Sequence, residues 1–151
     1  MSTAAGANTD EASPAVVDDA VMNQALLSTP LHRQMALTLV RTESGVTLGG
    51  TFGPDMARAD GMNVAHGGAI ASALDTATVW AAVAATSRLW ATADLRVDYL
   101  RPAALGDITV TGSVLQAGSA VARTRAELRD SLDRLAAVAT ATLIAQPGPT
   151  A

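Results

Sequence analysis

The sequence predicts an α+β domain in which one long apolar helix is wrapped by an antiparallel sheet. Three observations carry this. Residues 69–86 are rich in Ala and long enough for about five helical turns. That run is apolar on almost every side, so it belongs in a core rather than on a surface. The segments around it alternate apolar and polar residues, with turn signals at hairpin spacing between them, which makes the sheet antiparallel.

The elements follow in order. Residues 1–15 are small and polar and read as a disordered leader, residues 16–146 as a single domain, and residues 147–151 as a flexible tail. Residues 16–27 suit a short helix with Val17, Val21, Leu26 and Leu27 as its stripe and Asp18 and Asp19 at its positive end. Ser28-Thr29-Pro30 ends it. Residues 35–41 set Met35, Leu37 and Leu39 against Ala36, Thr38 and Val40, and Glu43-Ser44-Gly45 turns the chain. Val46, Leu48, Gly50 and Phe52 then alternate with Thr47, Gly49 and Thr51, completing a hairpin. Residues 53–65 are irregular, with turn signals at Gly53-Pro54-Asp55 and Asp60-Gly61. After the long helix come four strand-like segments, 92–101, 107–116, 121–129 and 134–145, read as a consecutive meander. In the first, Leu95, Val97 and Tyr99 oppose Asp94, Arg96 and Asp98, and Pro102 stops it. In the third, Arg123, Arg125, Glu127 and Arg129 oppose Ala122, Thr124, Ala126 and Leu128. The β-branched Val138, Thr140, Thr142 and Ile144 make the last one a strand.

Composition narrows the chemistry. The chain has 151 residues, enough for one domain. It has no Cys, which excludes a Cys nucleophile, a disulfide scaffold and Cys-containing zinc sites. Its only two histidines, His32 and His66, argue against a His-rich metal site. All ten basic residues are Arg, which excludes Schiff-base and P-loop lysines. The net charge of -4 and the lack of a basic run give no nucleic-acid footprint. No basic-then-apolar leader is visible, and Ser72, Asp75, Thr76 and Thr78 interrupt the longest apolar stretch. A soluble cytoplasmic protein without a membrane span is the expectation.

One constellation stands out: Ala65-His66-Gly67-Gly68-Ala69-Ile70, followed by Asp75 inside the long helix. Two glycines at a helix start leave bare N–H groups at the positive end of the dipole, a ready anion or oxyanion site. Their missing side chains let a ligand approach the backbone. Asp75 is flanked by Ala73, Leu74, Ala77 and Val79, where a carboxylate is costly to bury without a partner.

The His-Gly-Gly run, the acidic residue nine positions after the His, the stretch ATADLRVDYLRPA over residues 91–103 and the Gly106-Asp107 turn together resemble the hotdog-fold acyl-CoA thioesterases of the PaaI type, over residues 31–146. The resemblance implies a strongly curved sheet around the central helix. It also implies homodimers with a continuous sheet, often paired into homotetramers, and an active site shared at the dimer interface. Asp75 matches the catalytic carboxylate, a general base or nucleophile. The Gly67 N–H matches the oxyanion donor, and Thr92 a hydroxyl that holds the attacking water. His66 orients the loop and Gly67. The family commonly has Asn or Gln six residues before that His. Here Asp60 stands there and Asn63 nearby, so either one meets the thioester. Gly68 and Arg101 complete the substrate contacts, with Arg58 and Arg88 as further candidates. No cofactor is implied, because coenzyme A is part of the substrate. Two other classes fit the motif less well: a hotdog-fold enoyl-CoA hydratase or dehydratase, which needs a catalytic His, and a non-catalytic acyl-CoA binder. Trp80, Trp90 and Tyr99 read as packing anchors. Arg123, Arg125 and Arg129 read as a solvated face paired with Glu127 rather than a coenzyme A phosphate site.

Overall fold

A computed structural model describes residues 18–148. The leader assigned to residues 1–15, together with Val16, Val17 and residues 149–151, lies outside the described residues. The helices are α1 (Asp19–Leu26), α2 (Pro30–Gln34) and α3 (Gly67–Thr86). The strands are β1 (Thr38–Thr42), β2 (Gly45–Phe52), β3 (Trp90–Tyr99), β4 (Gly106–Ala117), β5 (Val121–Arg129) and β6 (Leu135–Ala145).

The Ala-rich run forms α3, and its small side chains set how deeply it seats. Ala73, Leu74, Ala77, Ala81 and Ala82 are fully buried, and the helix packs against β2 through β6. Opposite Ala77, the sheet offers Gly112. A Cβ there would lie 2.3 Å from the Ala77 carbonyl oxygen, so only glycine lets the helix backbone come this close. Hydroxyls inside the helix bond to its own carbonyls, Thr76 to Ser72 and Thr86 to Ala82, which leaves little polar cost on the packed faces. Ser87 ends the helix in the left-handed conformation, with its N–H on the Val83 carbonyl at 2.8 Å. By length and composition α3 could cross a membrane, yet half of it is buried against the sheet as a core helix. The expected wrapping of one long helix by an antiparallel sheet is what forms.

The strand order is β1-β2-β4-β5-β6-β3, with every neighbouring pair antiparallel. The hairpin of β1 and β2 and the inward faces read from alternation are all present, with Leu39, Val46, Leu48, Phe52, Ala126 and Leu128 buried. The consecutive meander is not. β3 pairs with β6 and forms the far edge, so β3 and β4 are not neighbours. The reason lies in residues 100–105, which are too long for a tight turn and are carried across the end of the β5–β6 hairpin. There Ala103 and Ala104 are buried, and the Ala104 N–H donates to the Asp130 carboxylate.

The N-terminal helices depart from expectation in two ways. The buried pair on α1 is Met22 and Leu26, one turn apart, while Val21 and Leu27 face out. Pro30 does not only stop α1; it opens α2 at a first-turn position, where its missing N–H costs nothing. The Asn23 amide clamps Leu39 of β1 with two hydrogen bonds of 2.7 Å. His32 bridges the Leu26 carbonyl and the Thr76 hydroxyl, tying α2 to α3.

Asp130 fastens the crossing. Its buried carboxylate accepts from the backbone N–H groups of Ala104, Leu132 and Arg134 and from the Arg134 guanidinium at 2.6 Å. Burial alone would raise its pKa, but the hydrogen bonds from Arg134 and the three N–H groups outweigh that and hold it well below the usual carboxylate range. A depressed folded pKa contributes stability above the unfolded value, and that contribution fades as pH falls below about 4 toward the folded value. Asp130→Asn should therefore lower unfolding free energy near neutral pH by about 2 kcal/mol. It should also flatten the acid limb of stability against pH, as read by urea denaturation across pH. An unchanged acid limb would show that Asp130 does not fasten the crossing.

Candidate active site

The start of α3 is best understood by counting its donors. His66 sits in extended conformation as the N-cap, and its Nδ1 accepts the Gly68 N–H at 2.9 Å. The Ala65 N–H reaches the Ala103 carbonyl and the His66 N–H the Met56 carbonyl, at 2.9 and 2.7 Å. The N–H groups of Ala69 and Ile70 both reach the His66 carbonyl. Among the described residues, the Gly67 N–H alone in residues 65–70 has no acceptor. It opens at the positive end of a 20-residue helix, beside a cavity of about 360 Å³ lined in part by Arg58, Ile70, Tyr99 and Arg101. Neither Arg58 nor Arg101 makes an ion pair among the described residues.

Two helical turns on, Asp75 is half-buried, and the Thr92 hydroxyl donates to its Oδ1 at 2.6 Å. That contact depends on an irregularity in β3. The alternation of Leu95, Val97 and Tyr99, continued backward, turns Thr92 away from the helix. Instead Asp94 faces Thr142 and Thr92 faces the buried Leu143, leaving Ala93 as the extra residue of a bulge. The bulge resets the parity and brings Thr92 to the helix side. Asp75, Thr92, Ala71, Ser72 and Leu95 line a second depression of about 290 Å³.

The remaining candidates divide. Asp60 and Asn63 are both exposed on the loop closed by the Ala57–Ala65 bridge, and neither is hydrogen-bonded to His66 or Gly67. Gly61 holds that loop's turn at φ +74°, with the Met62 N–H on the Ala59 carbonyl. Gly68 is exposed and serves the cap. Arg125 pairs with Glu127 and Arg129 with Asp133, as a solvated face would. Arg88 stacks over Trp90, and the buried Trp90 indole donates to Thr86. Tyr99 is not a packing anchor. It is 53% exposed, and its hydroxyl donates to the Gly67 carbonyl at 2.8 Å. Its place at the end of the inward-facing row of β3 was the signal available for this.

Comparison with known proteins gives the family. The family model of the Thioesterase superfamily matches residues 62–137, half of the chain, including α3 and β3. The medium/long-chain acyl-CoA thioesterase YigI of Salmonella typhimurium is 38% identical over 130 residues, which covers 75% of this chain and 83% of that protein. YigI of Escherichia coli K12 is 37% identical with the same coverage. A solved Shewanella oneidensis protein related to the thioesterase superfamily has a TM-score of 0.73 at 28% identity, covering 85% of this chain and 95% of that one. The Escherichia coli PaaI protein, from the phenylacetic acid degradation operon, shares the fold with a TM-score of 0.73 at 19% identity, covering 86% and 95% of the two chains. The architecture is thus the hotdog fold. The chain belongs to the thioesterase superfamily.

Among the described residues, nothing requires glycine at position 67. An added Cβ would meet the nearest atom, the Tyr99 hydroxyl oxygen, at 3.5 Å, an ordinary contact. Gly67→Ala should therefore fold with a thermal midpoint at or above that of the parent, since Ala is the better helix former. A drop of more than about 2 kcal/mol in unfolding free energy would mean that glycine serves packing instead.

Proposed function

We propose that the protein hydrolyses acyl-CoA thioesters, with the Gly67 N–H as oxyanion donor and Asp75 as the acting carboxylate. The observation that carries this is the donor count at the start of α3: among the described residues, every N–H from 65 to 70 is satisfied except the one that the reaction needs. The names of the YigI relatives support medium- to long-chain acyl groups.

Thr92 occupies Asp75 Oδ1, so Oδ2 is the oxygen left to act. It either takes a proton from water or attacks the thioester carbon directly. With water, the hydroxide oxygen adds to the carbon and the negative charge collects on the carbonyl oxygen at Gly67. The C–S bond then breaks, and coenzyme A leaves as a thiolate that takes up a proton. An oxyanion donor is typically worth about 10²–10³ in rate and a general base about 10²–10⁴. Thr92 spends its proton on the carboxylate, so toward a water it acts as an acceptor. The capping bond commits His66 Nδ1 to Gly68, which favours a positioning role for that ring. Arg58 and Arg101 line the Gly67 cavity, where the phosphates of coenzyme A would meet unpaired guanidinium groups.

The two acting groups do not meet within one chain. Gly67 and Asp75 are eight residues apart on α3, about 12 Å along the axis, and open onto separate depressions. One thioester must lie within hydrogen-bond reach of both. A homodimer that pairs Gly67 of one copy with Asp75 of the other is therefore the least active unit, and a homotetramer would hold two such dimers.

Asp75→Asn should keep the parent's oligomeric state and lose about 10³-fold in thiol release from acyl-CoA. Undiminished turnover would overturn the assignment. Gly67→Pro removes the N–H at a position where proline suits a helix start. Dissociated and reassociated with Asp75→Asn, it should recover about a quarter of parental activity, because half the dimers are mixed and each carries one intact site. Failure to recover any activity in confirmed mixed dimers would place both groups in one chain's site.

A further inference from the structure

We infer that Tyr99 is a positioning residue that sets the plane of the Gly67–Gly68 peptide and, through it, the aim of the Gly67 N–H. The inference rests on the oxyanion role proposed above. Two consecutive glycines are the least restrained residues with which a helix can begin. The first turn has no intrahelical acceptors for its N–H groups. The peptide that carries the Gly67 N–H is held on one side only, by its His66 carbonyl, which accepts from Ala69 and Ile70; on the other side it hinges at the Gly67 Cα on the Gly67–Gly68 peptide. Here both ends of one peptide unit are held from outside. The Tyr99 hydroxyl donates to the Gly67 carbonyl at 2.8 Å, and His66 Nδ1 accepts from the Gly68 N–H at 2.9 Å. The phenol ring also covers one side of Gly67: a Cβ built there would lie 3.5–3.6 Å from the Tyr99 hydroxyl oxygen, Cε1 and Cζ. The ring reaches this point because Tyr99 is the last residue of β3, in register with Ala137 and followed by the segment that crosses the end of the β5–β6 hairpin.

The burial of Tyr99 does not explain its hydroxyl. The side chain is half in solvent, so the hydroxyl could have been left to water. Its donation to a helix-terminal carbonyl has a geometric consequence instead. It resists rotation of the Gly67 peptide groups about the Cα bonds, which would swing the free N–H away from the cavity shared with Arg58 and Arg101. A misplacement of about 1 Å at a reacting centre can cost on the order of 10²-fold in rate.

The test is Tyr99→Phe, which keeps the ring and removes only the donor. Hydrolysis of a medium-chain acyl-CoA, followed by thiol release, should show kcat about tenfold lower with KM within about twofold. In 15N-labelled protein the Gly68 amide should exchange faster, and the Gly67 and Gly68 resonances should shift. An unchanged kcat, or a raised KM with kcat unchanged, would make Tyr99 a mere wall of the cavity and overturn the inference. So would unaltered Gly68 exchange. If the parent protein releases thiol from no acyl-CoA tried, the functional proposal falls, and the amide measurements still decide whether the hydroxyl holds this peptide.

Discussion

The close seating of α3 on the sheet depends on Gly112, which passes beneath the Ala77 carbonyl where a Cβ would lie 2.3 Å from its oxygen, and much of the molecule is arranged around that contact. A helix can lie this low only where the residue at the contact is small, as Ala77 is, and the strand beneath is bare. The composition fits: in a chain with 49% hydrophobic but only 3% aromatic residues, the core combines alanines with Leu, Met and Val and holds few rings. The low seat also brings α3 within reach of short side chains on β3. A hydroxyl as short as that of Thr92 can touch Asp75 only because helix and sheet are so close.

The site is held from two directions. From below, β3 supplies Thr92 to Asp75 and Tyr99 to the first turn of α3. From the side, the crossing segment supplies the Ala103 carbonyl to Ala65, and Asp130 holds that segment in place. The chain just before α3 therefore cannot shift without disturbing the β5–β6 hairpin. A deeply buried carboxylate far along the sequence from Gly67 is in this way part of what fixes the helix start.

Much of this was legible in the sequence because it is local. Alternation marked the inward faces of β1, β2 and β5, β-branched residues marked β6 as a strand, and the Gly-Gly start with Asp75 marked the site. The position of β3 was not legible, since pairing with β6 rather than β4 depends on a tertiary tie at Asp130 that no periodicity records. The bulge at Ala93 was hidden for the same reason. Thr92 was named from the family resemblance, whereas simple alternation turns it outward. Around α1, Val21 and Leu27 were as hydrophobic as the residues that are buried; docking onto β1 through Asn23 selected Met22 and Leu26. Asp60 and Asn63 were open alternatives in the sequence, and within one chain both stand in solvent, so nothing local separates them.

Tyr99 is the only tyrosine in the chain, and the two tryptophans, Trp80 and Trp90, lie toward the other end of α3 and at the start of β3. The near-ultraviolet signals are thus divided by location. The phenol reports on the first turn of the helix, the indoles on the opposite half of the core. An unlabelled sample carries a native optical probe at the place where chemistry is expected and a separate pair of probes for the integrity of the scaffold.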